Sequence, residues 1–276
     1  MGGLTGFVGY PRNVRKGAVG PEKFGVKSRK YVLDLFDSIV VATTSAGTAF
    51  PSGTTGAKNQ VQTASAVHEY HILGAGQTIV APSQDANGRG LDWALDQAST
   101  EGVQVILGGY EAVGTVLTRP RTAFTVADGR PFFARLKVNL EDASGADFWF
   151  GLRKAQAYQT AWASYTDYAA LFADGTATVG NDIKIVAKLN GGAETALDTG
   201  LDFADTVARE FRVDVDQSGR CRFLVDGNPP SVNLTSFVFD AGDVVLPTFM
   251  HLHTADLAGY VATMEFEAGY SAIPGV

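Results

Sequence analysis

Beyond about residue 67, apolar and polar residues alternate with a period of two, the spacing of a strand with one buried face. In PFFARLKVNL, Phe132, Ala134, Leu136, Val138 and Leu140 fall on one face, and Phe133, Arg135, Lys137 and Asn139 on the other. DFWFGLRKA turns Phe148, Phe150 and Leu152 inward, and NDIKIVAKL sets Ile183, Ile185, Ala187 and Leu189 against Lys184, Val186 and Lys188. REFRVDVDQSGRCRFLVDG predicts a hairpin. Phe211, Val213 and Val215 lead into a Gln217-Ser218-Gly219 turn and Cys221, Phe223 and Val225 return, with Arg212, Asp214, Arg220 and Arg222 outside. VVLPTFMHLHT and YVATMEFEAGY complete the series, the second alternating Tyr260, Ala262, Met264, Phe266 and Ala268. Turn signals recur at Asp128-Gly129, Asp174-Gly175, Gly191-Gly192 and Asp226-Gly227. No long segment carries a helical stripe, and in GLDWALDQAS the residues Leu91, Trp93 and Leu95 alternate as a strand does. Repeated half-buried strands without helices predict two packed antiparallel sheets, an all-β jelly-roll sandwich over residues 67–276.

The chain before that point has no such period. Residues 1–30 are rich in Gly, Pro and basic residues and read as an extended arm. YVLDLFDSIVV at 31–41 is apolar enough to pack and fits a strand or a helical turn equally, and residues 42–66 read as a small-residue linker. Two parts are therefore expected, an arm and linker over 1–66 and the sandwich over 67–276.

Charge sharpens this division. Residues 1–30 hold seven basic residues and one acid, a balance of +6; the remaining 15 basic and 28 acidic residues give −13, which together make the net −7. A basic arm on an acidic body predicts docking of the arm on an acidic surface, such as the body of another copy. The acidic body would repel phosphates, so nucleic acid is not an expected partner. Only 18% of the residues are charged, against roughly 25% in an ordinary soluble domain, and Gly numbers 32, as suits sheets joined by tight turns. No stretch approaches the ~18 apolar residues of a membrane span and the start lacks a signal-peptide core, so a soluble protein without membrane contact is expected.

Candidate chemistry is sparse. Cys221 is the lone cysteine, which excludes an intrachain disulfide and a Cys-based zinc site. His68 and His71 form one close pair and His251 and His253 another. The second pair would share a strand face, as metal ligands or as a surface pair opposite Met250 and Leu252, but spacing indicates no third ligand. Glu265 with Glu267, and Asp214 with Asp216, also share faces. Glycoside hydrolysis needs two carboxyls about 5–9 Å apart, one with its pKa raised by burial. These pairs alternate with core residues and are expected to face solvent, where no useful shift arises. No Glu-x-Asp-x-x-Glu strand and no Gly-x-Ser-x-Gly elbow occurs. The reading is therefore a protein that is not an enzyme and takes no cofactor or metal. Trp149, Tyr158, Trp162, Tyr165 and Tyr168 cluster in sequence, with Tyr158, Trp162 and Tyr165 as candidates for a glycan platform, a protein interface or a cap on the core.

From Gly90 the succession GLDWALDQ, TAFTVADGRPFFARLKVNL, DFWFGLRK, DYAALFADG and REFRVDVDQSGRCRFLVDGNPP resembles the concanavalin A-like (laminin-G/lectin type) sandwich of many tailed-bacteriophage virion proteins. The hairpin over 211–227 carries the resemblance most directly. Members with a long N-terminal arm and no enzyme motif are similar to capsid decoration, or cement, proteins. The resemblance implies a homo-oligomer, dimer or trimer, bound to the outer surface of the major capsid protein shell and stabilising capsomer contacts. Such a protein is made in the host cytoplasm and ends on the virion surface. Phe7, Tyr10, Tyr31, Leu33, Leu35 and Phe36 would then be anchors, and Arg12, Arg15 and Lys16 electrostatic guides. The alternative is a tail-fibre or baseplate lectin-like domain that binds host surface glycan.

Overall fold

One apolar stripe per strand allows each sheet to bury a single face, and the computed structural model shows the expected all-β sandwich of two antiparallel sheets. It describes residues 31–34, 36, 39–43, 59–63, 66–73, 78–79, 82–84, 90–93, 95–97, 101–108, 110–113, 116–120, 122–143, 145–157, 159–176, 181–234, 236–254, 257–259 and 261–271. The strands run in chain order. The first are β1 (Tyr31–Asp34), β2 (Ile39–Thr43), β3 (Asn59–Thr63), β4 (Val67–Leu73), β5 (Thr78–Ile79), β6 (Ser83–Gln84), β7 (Leu91–Asp92) and β8 (Leu95–Gln97). Next come β9 (Gly102–Ile106), β10 (Tyr110–Val113), β11 (Val116–Pro120), β12 (Phe124–Thr125), β13 (Phe132–Leu140), β14 (Ala146–Lys154), β15 (Tyr168–Ala173) and β16 (Asp182–Lys188). The last are β17 (Thr195–Asp202), β18 (Arg209–Val215), β19 (Cys221–Val225), β20 (Val244–His253), β21 (Leu257–Gly259) and β22 (Val261–Tyr270). Among the described residues the one helical element is the 3-10 turn Trp162–Ser164.

The smaller main sheet has the order β19-β18-β13-β22-β7-β6, with β1 also on β22. The larger has ten strands in the order β17-β16-β15-β14-β20-β9-β4-β3-β2, with β12 on β20. The sandwich thus takes in β1, β2 and β3, which precede residue 67. β3 pairs with β4, so residue 66 lies within an antiparallel hairpin, and β1 pairs with β22.

The inner faces are the ones the alternation predicts for β13, β14, β16, β18 and β19: Phe132, Leu136, Phe148, Phe150, Ile183, Ile185, Phe211 and Phe223 all lie in one buried core. Each such side chain contributes roughly 1.5–3 kcal/mol by leaving water. Trp93 ties the sheets together, edge-on to Tyr70 (5.4 Å) and to Phe249 (5.8 Å), with its indole N–H donating to the Thr263 hydroxyl at 3.1 Å.

Two strands depart from expectation. A register shift between Lys137 and Val138 makes Met264 an extra residue in β22, so Val261 and Thr263 pair with Leu140 and Val138 while Ala262 pairs with Asn139. The expected alternation of Ala262 and Met264 with Phe266 is broken by this bulge, and Tyr260 lies outside the described residues. In β20, His251 pairs with Phe148 and Phe249 with Phe150, which turns both histidines into the core and Met250 and Leu252 outward. The expected surface-facing histidines are instead buried.

Candidate functional site

The outer face of the larger sheet is where the apolar side chains exceed what the sandwich needs. Trp149 and Arg153 stand outward on β14, Tyr168, Ala170 and Phe172 on β15, and Met250 and Leu252 on β20. Segment 155–167, which joins β14 to β15, folds back over this face and delivers Trp162 and Tyr165 into a second small core with Leu73, Tyr168, Ala170, Val186 and Met250. Its base is closed by backbone Lys154 N–H to Asp167 C=O at 2.9 Å. The Lys154 ammonium also lies 3.6 Å from Asp167 and 2.6 Å from Asp243. Tyr165 is held from two sides. Its hydroxyl lies 2.7 and 2.9 Å from the two polar atoms of the Gln104 amide, and the Arg153 guanidinium sits over its ring at 4.3 Å.

Beyond the covered part, Trp149 and Phe172 stay half-buried and stack with centroids 4.5 Å apart and an interplanar angle of 3°. Leu252 is half-buried beside them. Polar groups edge this strip by the two-residue period: Asp147 precedes Trp149, Asp174 follows Phe172, and Lys184 pairs with Phe172 in the sheet. Lys184 and Asp174 form an ion pair. Burial alone would raise the Asp174 carboxyl, but bonds from Lys184 and from the Thr176 hydroxyl and N–H bring it below the usual range. Asp147 goes the other way. Burial, with the charge of Asp174 adding to it, pushes its carboxyl up to about 6, only partly offset by the Gly175 N–H at 3.0 Å. Near neutral pH the strip is therefore bordered by an ionised acceptor, an ammonium donor, and a carboxyl close to titration.

Of the residues singled out in the sequence, Trp162 and Tyr165 do come together with Trp149 and Tyr168, but both are buried in the second core, so neither offers a ring face to solvent. Tyr158 lies outside the described residues. Phe172, Leu252, Asp147, Asp174 and Lys184 were not singled out; their signal is the alternation DFW in β14 and LFAD in β15, read on the outer face. Phe36 is 1% exposed and packs in the main core against the His68 ring at 5.0 Å, so it is not an available anchor for a partner. Tyr31 and Leu33 belong to β1 of the smaller sheet, with Leu33 half-buried. Phe7, Tyr10, Arg12, Arg15, Lys16 and Leu35 lie outside the described residues.

Other polar clusters are paired internally. His68 takes the Gly108 N–H on Nδ1 (3.1 Å), so its Nε2–H donates to Asp34 at 2.9 Å. Asp34 also accepts from the Thr63 hydroxyl and the Phe36 N–H. His71 pairs with Glu69 at 3.1 Å. On the outer face of the smaller sheet, Arg135 bonds Glu210 (2.7 Å), Glu267 (3.0 Å) and Glu265; Arg135, Glu210 and Glu267 are buried and Glu265 is half-buried. Glu267 and Asp214 thus point outward as expected yet are not solvent-exposed, because neighbouring long side chains cover them. Asp167, Asp240 and Asp243 form the one group of three close metal-ligand types among the described residues, and the Lys154 ammonium already lies against two of them, Asp167 and Asp243.

No protein-family model matches the chain, and no curated protein matches it. Its likeness is to solved structures. The carbohydrate recognition domain of Emp47p is 12% identical, covers 87% of this chain and 98% of its own, and gives a TM-score of 0.45. The apo Crh5 transglycosylase is 9% identical over 90% of this chain and 87% of its own, with a TM-score of 0.49. The carbohydrate-binding module CBM66 from Bacillus subtilis is 9% identical over 68% of this chain and 92% of its own, with a TM-score of 0.38. At such identities no ligand or activity is carried over from them.

Proposed function

We propose that the chain is a carbohydrate-binding module whose ligand lies on the outer face of the larger sheet. The observation that carries this reading is the half-buried Trp149–Phe172 stack bordered by Asp147, Asp174 and Lys184. A sugar ring needs an apolar surface for its C–H face and charged or amide groups for its hydroxyls, and this strip offers both within one strand repeat. The ion pair between Asp174 and Lys184 holds an acceptor and a donor in fixed places, which favours orientation over catalysis. In the virion setting implied by the sequence resemblance, this is the tail-fibre or baseplate reading, and the glycan belongs to the host surface.

The test is a glycan array, followed by calorimetric titration of the strongest hit. Phe172→Ala should weaken binding about 2- to 13-fold, the equivalent of ~0.5–1.5 kcal/mol for an aromatic contact. Asp174→Asn should weaken it by ~1.5–3 kcal/mol, as expected for a hydrogen bond to a charged group. An array without hits, or affinities unchanged in both variants, overturns the reading.

A further inference from the structure

Trp162 is 2% exposed, yet its indole N–H has no hydrogen-bond partner. A buried donor left unpaired is costly and rare, and it calls for a reason. The ring fills a slot with aromatic walls. Trp149 lies nearly parallel to it at 6.4 Å and 9°, and Tyr165 and Tyr168 stand edge-on at 6.1 and 5.7 Å. The backbone that carries it is slight: a three-residue turn whose N-cap Ala161 makes no side-chain cap. Ala161, Ala163 and Ser164 around it are exposed. The turn is tied by Ser164 N–H to Ala161 C=O and Tyr165 N–H to Trp162 C=O, both at 3.1 Å, and by Lys188 to Ala163 C=O at 2.8 Å. The base of the segment, by contrast, is pinned at Lys154–Asp167 and at Tyr165–Gln104.

We propose that Trp162 is a removable plug that occupies the place of a sugar ring against Trp149 and swings out to admit one. The proposal rests on the glycan reading of this face. Phe172 stacks on Trp149 at 4.5 Å and Trp162 runs nearly parallel to it at 6.4 Å, so departure of Trp162 frees a ring-sized space beside the Trp149 indole. An incoming sugar ring presents C–H groups to that face and directs its hydroxyls to water and to the polar edge, leaving no buried donor unpaired.

The full chain labelled with 5-fluorotryptophan gives three fluorine resonances, one each for Trp93, Trp149 and Trp162. Relaxation dispersion should show microsecond-to-millisecond exchange at Trp162 and at Trp149, with Trp93 in the main core unaffected. Trp162 as static as Trp93 overturns the plug. In the second arm, cellohexaose and mannohexaose are titrated into the wild-type and Trp162→Ala proteins. With the open form populated at about 1–10%, removing the plug raises affinity about 10- to 100-fold. Unchanged or weaker binding by a folded Trp162→Ala protein overturns the proposal, and if that variant fails to fold, the wild-type exchange decides it. Exchange at Trp162 with no sugar bound by either protein, in these titrations or on the array, removes the glycan reading and with it the plug's role, whereas measurable binding that Trp162→Ala does not raise overturns the plug alone, so the two failures are distinguishable.

Discussion

His251 and His253 stand two residues apart on β20 with rings 4.9 Å apart, edge to face, inside the sandwich. Burial first, and the neighbouring His253 second, hold the His251 imidazole well below the ordinary histidine range. The unfolded chain takes up a proton on this group below about pH 6.5 and the folded chain does not, so stability falls as pH drops through that value. The slope approaches ~1.4 kcal/mol per pH unit for this one group. Urea unfolding at pH 7.5 and 5.5 should show the loss, and His251→Leu should remove that part of the slope. Asp147 has the opposite sign. Its folded carboxyl is pushed up to about 6, from an ordinary value of 3.8, so its contribution is fully present below about pH 4 and is lost as pH rises through 6. Asp147→Asn should therefore raise the melting temperature at pH 7 and leave it little changed at pH 4; a lower value at pH 7 would contradict the assigned cause.

Within single elements, legibility depended on whether the two faces of a strand differ. β13, β16 and β18 carry charged residues opposite apolar ones, and their inner faces were readable residue by residue. β20 is apolar on both sides, because Met250 and Leu252 serve the second core, so alternation could not say which side the histidines took. The bulge at Met264 left no mark in the pattern, and β1 to β3 are short strands set among Gly, Ser and Thr. The site was half legible for a related reason: the aromatic cluster was visible, but not that segment 155–167 folds over the sheet and covers its own Trp162 and Tyr165. The pairing of β14 with β15 beneath it uses the bare backbone of Gly151. A Cβ there would lie 2.2 Å from the Ala169 carbonyl and 2.5 Å from the Ala170 Cα, backbone atoms that no rotamer can move. Gly151→Val should lose stability at the upper end of the ~1–3 kcal/mol typical of overpacking, or beyond it. Gly191→Ala, at φ 68 with nothing near its Cβ, should lose only the ~1–2 kcal/mol of a left-handed alanine. Equal losses in thermal melts would show that the packing between β14 and β15 is not what Gly151 protects.

Across the whole molecule, the two outer faces of the sandwich are built for different ends. On the smaller sheet the polar groups use one another up: Arg135 on β13 reaches Glu210 on β18 and Glu265 and Glu267 on β22, lacing three strands with one guanidinium. On the larger sheet the rim groups border an apolar strip that is still partly open. This difference makes the first face structural and, on the proposed reading, leaves the second open to a sugar. It also yields a prediction that separates the two. Arg135→Met removes the guanidinium that bonds all three carboxylates, leaving three negative charges close together with less compensation. Breaking such a buried pair costs about 3–5 kcal/mol. Protonating carboxylates removes the repulsion among them, so the variant should regain stability relative to wild type as pH falls from 7 to 4.5. Sugar affinity of the folded fraction should stay at the wild-type value, since the aromatic strip lies on the other sheet. A variant whose deficit is the same at both pH values would mean that Arg135 acts through packing of its stem, and a fall in affinity would mean that the two faces are coupled through the core.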